Sequence, residues 1–407
     1  MKIIALTMIG NENEIIESFI RYNFNFIDKM LIVSTCCIDN TLIIVRKLIK
    51  EGFNIELIEE PEIAFDQRYL DNKYIKKIAN EEEKDSFILM LDADEFLSGA
   101  DNPRKILESL SLDCAYAVKW KNYAMCETDD QNEMFIPRRL RNVKKNFAGN
   151  LIEKVFFPSK LVLSKNIVVE TGHHEICGEN LKVISLNTLW LAHFPSISKE
   201  QYLLRIYESS IKYITWRKRA FDEGYHIYHQ IAEIESGKDV FSIANGYGLS
   251  NDTVIEIEEE PLNLSWCTSD SIKMRYPQLA TVNVFFGVKK IGQLMAIKAY
   301  NLELDTEADQ SKQTILIYGI GKGAEKLLNG IPENFVNIRA YIDSNSEKCF
   351  RMYKRRLVIT PDYVRFFKYD KIIITSRIHY DEMLEALLSF GVEKDKISSA
   401  AYLFDLI

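Results

Sequence analysis

Asp92, Asp94 and Glu95 fall within four residues of one another in FILMLDADEFL, residues 87–97, directly after five apolar residues and directly before Phe96 and Leu97. Three carboxylates at the end of a strand marked for burial repel one another and resist desolvation, so stability alone does not ask for them there. A cation among them would satisfy them. A hard divalent ion, Mn²⁺ or Mg²⁺, prefers carboxylate oxygens and bridges readily to a diphosphate, so Asp92 and Asp94 on one turn can hold a metal-diphosphate without thiols. The plainer alternative is a surface acidic turn after an edge strand.

Such a turn has to be carried by a scaffold, and the residues before it describe one. KIIALTMI is a fully apolar strand pattern, followed by NENEIIESFIRYNFNF with apolar residues at helical spacing. MLIVST predicts a second strand, IDNTLIIVRKLIKEG a second helix ending at Gly52, NIELIEE a third strand, DQRYLDNKYIKKIANEEE a third helix, and SFILMLDADEF the fourth strand. Strands and helices in alternation, with buried strands, predict an α/β fold whose mostly parallel sheet is flanked by helices. Ligands on such sheets bind beyond the carboxyl ends of the strands, where Asp92 and Asp94 fall.

From about 114 to 194 the pattern is mixed, with short strands CAYAVKW, KVFF and KNIVVE, and residues 199–235 read as helical. The run EIEEE at 256–260 reads as a solvated face. The expected division is therefore 1–198 for the first domain, 199–312 for a helical and irregular connection, and 313–407 for a second, smaller Rossmann-like α/β domain.

LMLDADEFL, preceded in order by NENEIIESFIRY, STCCIDNTLIIVRKL and DQRYLDN, resembles family-2-type glycosyltransferases of the GT-A fold, with Asp92 to Asp94 as the DxD motif. The resemblance covers about the first 200 residues. It implies a nucleotide-sugar donor, a divalent metal and inversion at the anomeric carbon. Carried over by position, it implies donor contacts from Thr7, Glu12, Asp39, Arg68, Asp92 and Asp94, with Asp94 as main metal ligand and Asp92 facing ribose or metal. Asp39 could equally be a helix N-cap and Arg68 a surface cation. Cys36 and Cys37 stand where relatives carry an acid-rich turn, and adjacent cysteines read as small buried filler.

RLRNVKKNFAGNLIEKVFF resembles the segment that carries G-x-x-H-E in many relatives; Gly149 and Glu153 fit, whereas Ile152 replaces the histidine. Glu153 is the expected catalytic base alongside Asp94, set against a structural salt-bridge role, with Asp129 and Asp130 as the fallback. AHFPSISKEQY resembles a closing segment of one branch of the family, which implies His193 as a further metal ligand; a neutral imidazole can complete a carboxylate site. His173 and His174 stand open between a structural and a functional role.

A second motif, Gly319-x-Gly321-x-x-Ala324, lies between a strand and a helix, with Asp343 at the end of the next strand, where dinucleotide-binding folds place the ribose acid. NAD or another nucleotide there is a weaker expectation than an assembly or scaffold role, which leaves a homo-oligomer open. The same motif supports a competing reading, a nucleotide-binding sensor acting through the C-terminal domain.

With 47% hydrophobic and 27% charged residues, the 407-residue chain has the composition of a globular protein, and its net charge of −8 argues against a nucleic-acid partner. Seven scattered cysteines without a CxxC pair and no long apolar run predict a cytoplasmic protein, with peripheral membrane contact left open. A nucleotidyltransferase also combines an α/β sheet with metal-binding acids, but TMIGNENE lacks the glycine-rich basic loop of that class. The expected function is metal-dependent transfer of a sugar to a hydroxyl of a glycan, lipid-linked or protein acceptor. The identity of the sugar is not written in these motifs.

Overall fold

A computed structural model describes residues 1–35, 37–60, 67–145, 147–215, 225–246, 256–307, 312–329, 336–345 and 347–402. Cys36 and residues 216–224 of the expected helical stretch lie outside the described residues. The chain divides into two compact units, Met1–Val288 and Lys289–Ile407.

In the first unit the sheet opens with β1 (Ile3–Ile9), β2 (Lys29–Thr35), β3 (Ile55–Glu60) and β4 (Phe87–Met90), joined through α1 (Ile16–Asn23), α2 (Thr41–Lys50) and α3 (Gln67–Glu81). These four strands pair in parallel in the order β3-β2-β1-β4. The side-chain period of two explains why β1 is apolar throughout: Ile3, Ala5 and Ile9 pack into the core on one face, Ile4, Leu6 and Met8 into the core on the other. The edge strand β3 buries neither face fully, and its IELIEE carries acids that bind Lys29, Arg46 and Lys73. Helix α2 stops where Gly52 adopts φ +101°, a conformation that favours glycine, as the sequence predicts.

The remaining elements of this unit are β5 (Glu95–Gly99), α4 (Pro103–Glu108), β6 (Ala115–Ala124), α5 (Ile136–Arg139), β7 (Asn142–Lys144), β8 (Glu153–Pro158), α6 (Ser159–Ser164), a two-stranded patch β9 (Val168–Val169) and β10 (Ile176–Cys177), β11 (Val183–His193), α7 (Lys199–Thr215), α8 (Tyr225–Glu235), α9 (Val240–Gly246) and β12 (Ile257–Glu259). Strand β8 joins β4 antiparallel, β6 joins β8 antiparallel, and β11 pairs with both β6 and β5. By these pairings β1, β2, β3, β4, β6, β11 and β12 run one way in the ten-stranded sheet, and β5, β7 and β8 the other. The α/β class and the mostly parallel sheet flanked by helices are as expected.

Two departures from the sequence reading matter for the site. SFILMLDADEF is not one strand: β4 ends at Met90, the chain turns through Asp92–Asp94, and β5 leaves to pair antiparallel with β11. The turn is closed locally, by Glu95 N–H donating to the Asp92 carbonyl at 3.1 Å and Asp92 N–H donating to Glu95 Oε2 at 2.8 Å. The second departure is β11, an eleven-residue strand whose polar-rich start, VISLNT, masks its period.

Behind the turn, Asn23 at the end of α1 imitates a neighbouring strand. Its amide donates to the Glu95 carbonyl at 3.1 Å and accepts Leu97 N–H at 3.0 Å, while Tyr22 Oη–H donates to the Leu97 carbonyl at 2.7 Å. Phe96 is buried among Phe19, Tyr22 and Phe194, with ring centroids 5.1–6.1 Å away. Edge-to-face aromatic pairs of this kind contribute about 0.5–1.5 kcal/mol each beyond their area burial.

In the second unit, α10 (Val284–Glu307) leads in from the first, and β13 (Thr314–Tyr318), α11 (Lys322–Asn329), β14 (Asn337–Ile342), β15 (Met352–Tyr353), β16 (Arg356–Ile359), β17 (Lys371–Ile374), α12 (Tyr380–Ser389) and β18 (Ile397–Ser399) follow. The six-stranded sheet has the order β15-β16-β14-β13-β17-β18, parallel except for β15. Its glycine turn follows the central strand β13, and Gly319 takes φ +99° with the Thr375 side chain where a Cβ would go. No helix among the described residues is long and apolar enough to cross a membrane.

Candidate functional site

The positive charge among the acids of residues 92–95 is supplied by the chain itself. Lys154 on β8 is fully buried; its Nζ donates to Asp92 and to the Gly172 carbonyl at 2.7 Å, and stands 3.4 Å from Glu95 Oε1. Burial disfavours its ammonium, yet Asp92 and Glu95 hold its pKa above the ordinary lysine range. The two acids differ in the reverse sense. Burial would raise the Asp92 carboxyl, but Lys154 and then His173 bring it below its usual value. Burial pushes Glu95 up, and the charges of Asp92 and Asp94 offset the help it receives from Lys154. Glu95 is therefore a structural brace, taking the Trp120 indole N–H at 2.6 Å as well as Asp92 N–H.

Asp94 points elsewhere. Its Oδ2 lies 3.5 Å from Nε2 of His193, which the β11 register sets directly across from Glu95 on one side and Asn122 on the other. The ring of His193 stacks on Trp120 with centroids 4.0 Å apart. Asn122 gives both its N–H and its side-chain amide to Asn150 Oδ1, at 3.0 and 2.8 Å, so the oxygen it turns to His193 Nδ1 at 2.7 Å is an acceptor. In a neutral ring that contact assigns the proton to Nδ1 and leaves the lone pair at Nε2, on the side of Asp94. With the ring in that form, the imidazole and the carboxylate 3.5 Å apart suit a cation between them. Among the described residues no three His, Cys, Asp or Glu side chains are arranged to hold a metal unaided; one carboxylate and one imidazole suit an ion that keeps waters and completes its shell with substrate phosphates. By that test the residues fit Mn²⁺ or Mg²⁺.

Around Asp94 the remaining groups come from loops at the same edge. Glu12, just beyond β1, has a carboxyl pushed up to about 8, by burial first and then by Asp94, with Arg205 acting against them. Asp39 accepts Thr41 N–H at 2.9 Å and Asn13 N–H at 3.2 Å in the turn ahead of α2, whose N-cap is Asn40 and not Asp39, and burial raises its pKa. Asn11 ties this loop to α7: its carbonyl oxygen accepts Ile38 N–H at 2.7 Å and its amide donates to Glu208 at 2.7 Å. Thr7 is buried inside β1, and its hydroxyl has no hydrogen-bond partner among the described residues.

Other candidates sit apart. Arg68 is half exposed on α3 and forms its ion pair with Glu170, at 2.7 Å. Glu153 is not brought to the acidic turn: successive residues of a strand point to opposite faces, and since Lys154 faces Asp92, Glu153 faces away and accepts Ser185 Oγ–H at 2.7 Å. Asp92 is likewise turned to Lys154 and not to His193. In the second unit Asp343 accepts Asn345 N–H at 2.9 Å in a local turn and lies 3.5 Å from Lys348; Gly321 has open space about it, Ala324 is buried, and NAD at this turn gains no support.

Two lysines escaped the sequence reading, and His173, left open there, is placed by the structure. Lys154 sits one position beyond the glutamate that drew attention. His173, in the left-handed region at φ +61°, places Nε2 2.9 Å from the buried Asp71 and Nδ1 3.6 Å from Asp92. Lys144 is buried with its Nζ on the Asn245 carbonyl at 3.0 Å, and burial followed by the Arg205 charge lowers its pKa to about 7. The only signal in the sequence was a lysine or arginine in an otherwise apolar strand or amphipathic helix.

A family model described as C2185-like, N-terminal, matches residues 311–398, within the second unit. No curated protein matches the chain. Solved structures similar to it include glucosyl-3-phosphoglycerate synthase from Mycobacterium tuberculosis in complex with Mn²⁺, uridine diphosphate and phosphoglyceric acid, at 13% identity over 65% of this chain and 88% of that one, with a TM-score of 0.27. The mannosyltransferase PcManGT from Pyrobaculum calidifontis, in complex with GDP-Man and Mn²⁺, is 12% identical over 74% of this chain and 87% of that one, with a TM-score of 0.31. HddC from Yersinia pseudotuberculosis is 13% identical over 46% of this chain and 92% of that one, with a TM-score of 0.28.

Proposed function

We propose that the first unit is a metal-dependent glycosyltransferase that takes a nucleoside-diphosphate sugar as donor and a hydroxyl group as acceptor. The observation that carries this reading is His193 Nε2 held 3.5 Å from Asp94 Oδ2, at the edge of the sheet where α/β folds bind ligands. A divalent ion bound there would supply charge neutralisation for a leaving diphosphate.

The chain's own residues do the positioning. Lys154 and Glu95 hold the turn so that Asp94 cannot swing away, Asn122 fixes the His193 tautomer, and Trp120 packs against both sides of the arrangement. Asp39 lines the nucleotide side in this reading, and Glu12, expected there by resemblance, is reassigned. The acceptor-side base has to come from an acid that reaches Asp94, and Glu12, with its carboxyl at about 8, is better placed than Glu153. The loop Asn11–Glu14 is acidic, which favours glycosyl over nucleotidyl transfer because the latter uses a basic loop after the first strand.

A panel of nucleotide sugars assayed for hydrolysis with and without Mn²⁺, repeated on Asp94→Ala, tests the assignment. Turnover should require the metal and fall at least about a hundredfold in the variant, the size of loss seen when one electrostatic stabiliser is removed. Full turnover by Asp94→Ala overturns the reading.

A further inference from the structure

The antiparallel pairing of β6 with β7 ends at Tyr123 and Val143, one rung short of Asn122 and Lys144. The amide of Asn150, from the short helical turn Ala148–Leu151, fills that rung: its Oδ1 accepts Asn122 N–H at 3.0 Å, and its Nδ2 donates to the Lys144 carbonyl at 2.7 Å. A backbone N–H can only donate and a carbonyl can only accept, so these two contacts fix which way round the Asn150 amide stands. Reversing it would set donor against donor and acceptor against acceptor.

That polarity passes on to the metal edge. Asn150 Oδ1 also accepts from Asn122 Nδ2 at 2.8 Å, which obliges the buried Asn122 to turn its oxygen to His193 Nδ1, 2.7 Å away. Two acceptors therefore stand at opposite ends of one ring, Asn122 Oδ1 at 2.7 Å from Nδ1 and Asp94 Oδ2 at 3.5 Å from Nε2. A neutral imidazole has a single N–H to give. With Asn122 held oxygen-first, that proton goes to Nδ1, the contact within hydrogen-bond distance, and Nε2 stays open on the side of Asp94. Were Asn122 free to present its NH₂ to the ring, Nδ1 would become the acceptor and the proton would pass to Nε2, where Asp94 could take it. The imidazole would then be a hydrogen-bond partner of the carboxylate and no longer a ligand beside it.

We infer that Asn150 is the positioning residue that decides between these two states, carrying the polarity of the β6 and β7 backbones through Asn122 to His193 and so keeping Nε2 available to a cation at Asp94. It acts through Asn122. The ligand role of Nε2 rests on the transferase reading; the tautomer does not.

Nitrogen NMR of the full chain with ¹⁵N-labelled histidine, the His193 signals identified by their loss in His193→Gln, reads the tautomer without metal or substrate. In the neutral wild-type ring the proton should sit on Nδ1, and a ring protonated at Nε2 overturns the proposal without any further variant. Asn150→Leu, close in volume but with no polar group, should move the proton to Nε2 and weaken Mn²⁺ binding, measured by calorimetry, about tenfold, the lower end of the cost of losing a partner that orients a metal ligand. Adding Asn122→Asp to that variant supplies an acceptor that cannot be reversed, so the Nδ1 proton and the Mn²⁺ affinity should both return, a rescue that a merely structural role of Asn150 would not give. A folded Asn150→Leu with the wild-type tautomer overturns the proposal, and so does failure of Asn122→Asp to restore it. If the tautomers follow this pattern while wild type binds no Mn²⁺, the positioning role stands and the ligand role falls with the transferase reading.

Discussion

At the scale of single residues, the informative contrast is between two carboxylates two positions apart. Asp92 is neutralised internally by Lys154, whereas Asp94 faces the imidazole of His193 and has no lysine or arginine ion pair among the described residues. Removing Lys154 leaves buried acids uncompensated, so Lys154→Met should lower stability by about 3–5 kcal/mol, the usual loss when one partner of a buried pair is deleted. Urea unfolding measures it, and a loss within error would show that Asp92 and Glu95 do not depend on the lysine. Glu12 gives a second prediction, from its titration. Its folded carboxyl at about 8 lies above the ordinary glutamate value of 4.5, so the folded state holds the proton more tightly than the unfolded chain. The stability it contributes is fully present below 4.5 and is lost as pH rises through about 8. Glu12→Gln should therefore flatten the decline in stability between pH 5 and 8, read by unfolding curves across that range; an unaltered slope would place its titration elsewhere.

At the scale of elements, the alternation of β8 decides which neighbour acts. Lys154 faces the acidic turn, and Glu153 consequently bonds Ser185 on the opposite face. Glu153→Gln is expected to leave donor turnover within assay error and stability within about 0.5 kcal/mol, as for substitutions away from a packed or catalytic feature. A loss comparable to that of Asp94→Ala would restore Glu153 as the base and require β8 to present its other face. Strand β11 matters in the same way. Its pairing with both β5 and β6 sets His193 opposite Glu95 and Asn122 at once, and a shift of one residue would turn the imidazole away from Asp94.

At the scale of the whole molecule, each of the two units has a sheet and a core of its own, Met1–Val288 with the acidic turn and Lys289–Ile407 with the glycine turn. Ligands that bind only the native state raise the stability of the unit that holds them, by about 2.7 kcal/mol at a hundred times the dissociation constant. Scanning calorimetry with Mn²⁺ and a nucleoside diphosphate should therefore move a transition that Asp94→Ala abolishes. NAD should move none. A shift that survives Asp94→Ala would locate the nucleotide away from the proposed edge.

The sequence alone determined the α/β class, the first three strand-helix pairs with the stop at Gly52, and the singular character of residues 92–95. These follow from local periodicity, glycine conformation and the cost of burying charge, all of which act between near neighbours in the chain. It also singled out Asp94 and His193, which the resemblance makes ligands of one ion and which the fold brings within 3.5 Å. Only the tertiary structure decided that Lys154 answers Asp92, that Glu153 faces away, that the acidic stretch turns from β4 into β5, and that the Asn150 amide fills a rung between β6 and β7. Each of these depends on strand register and on which face a residue presents, and register is set by pairings between segments up to a hundred residues apart that no local pattern encodes.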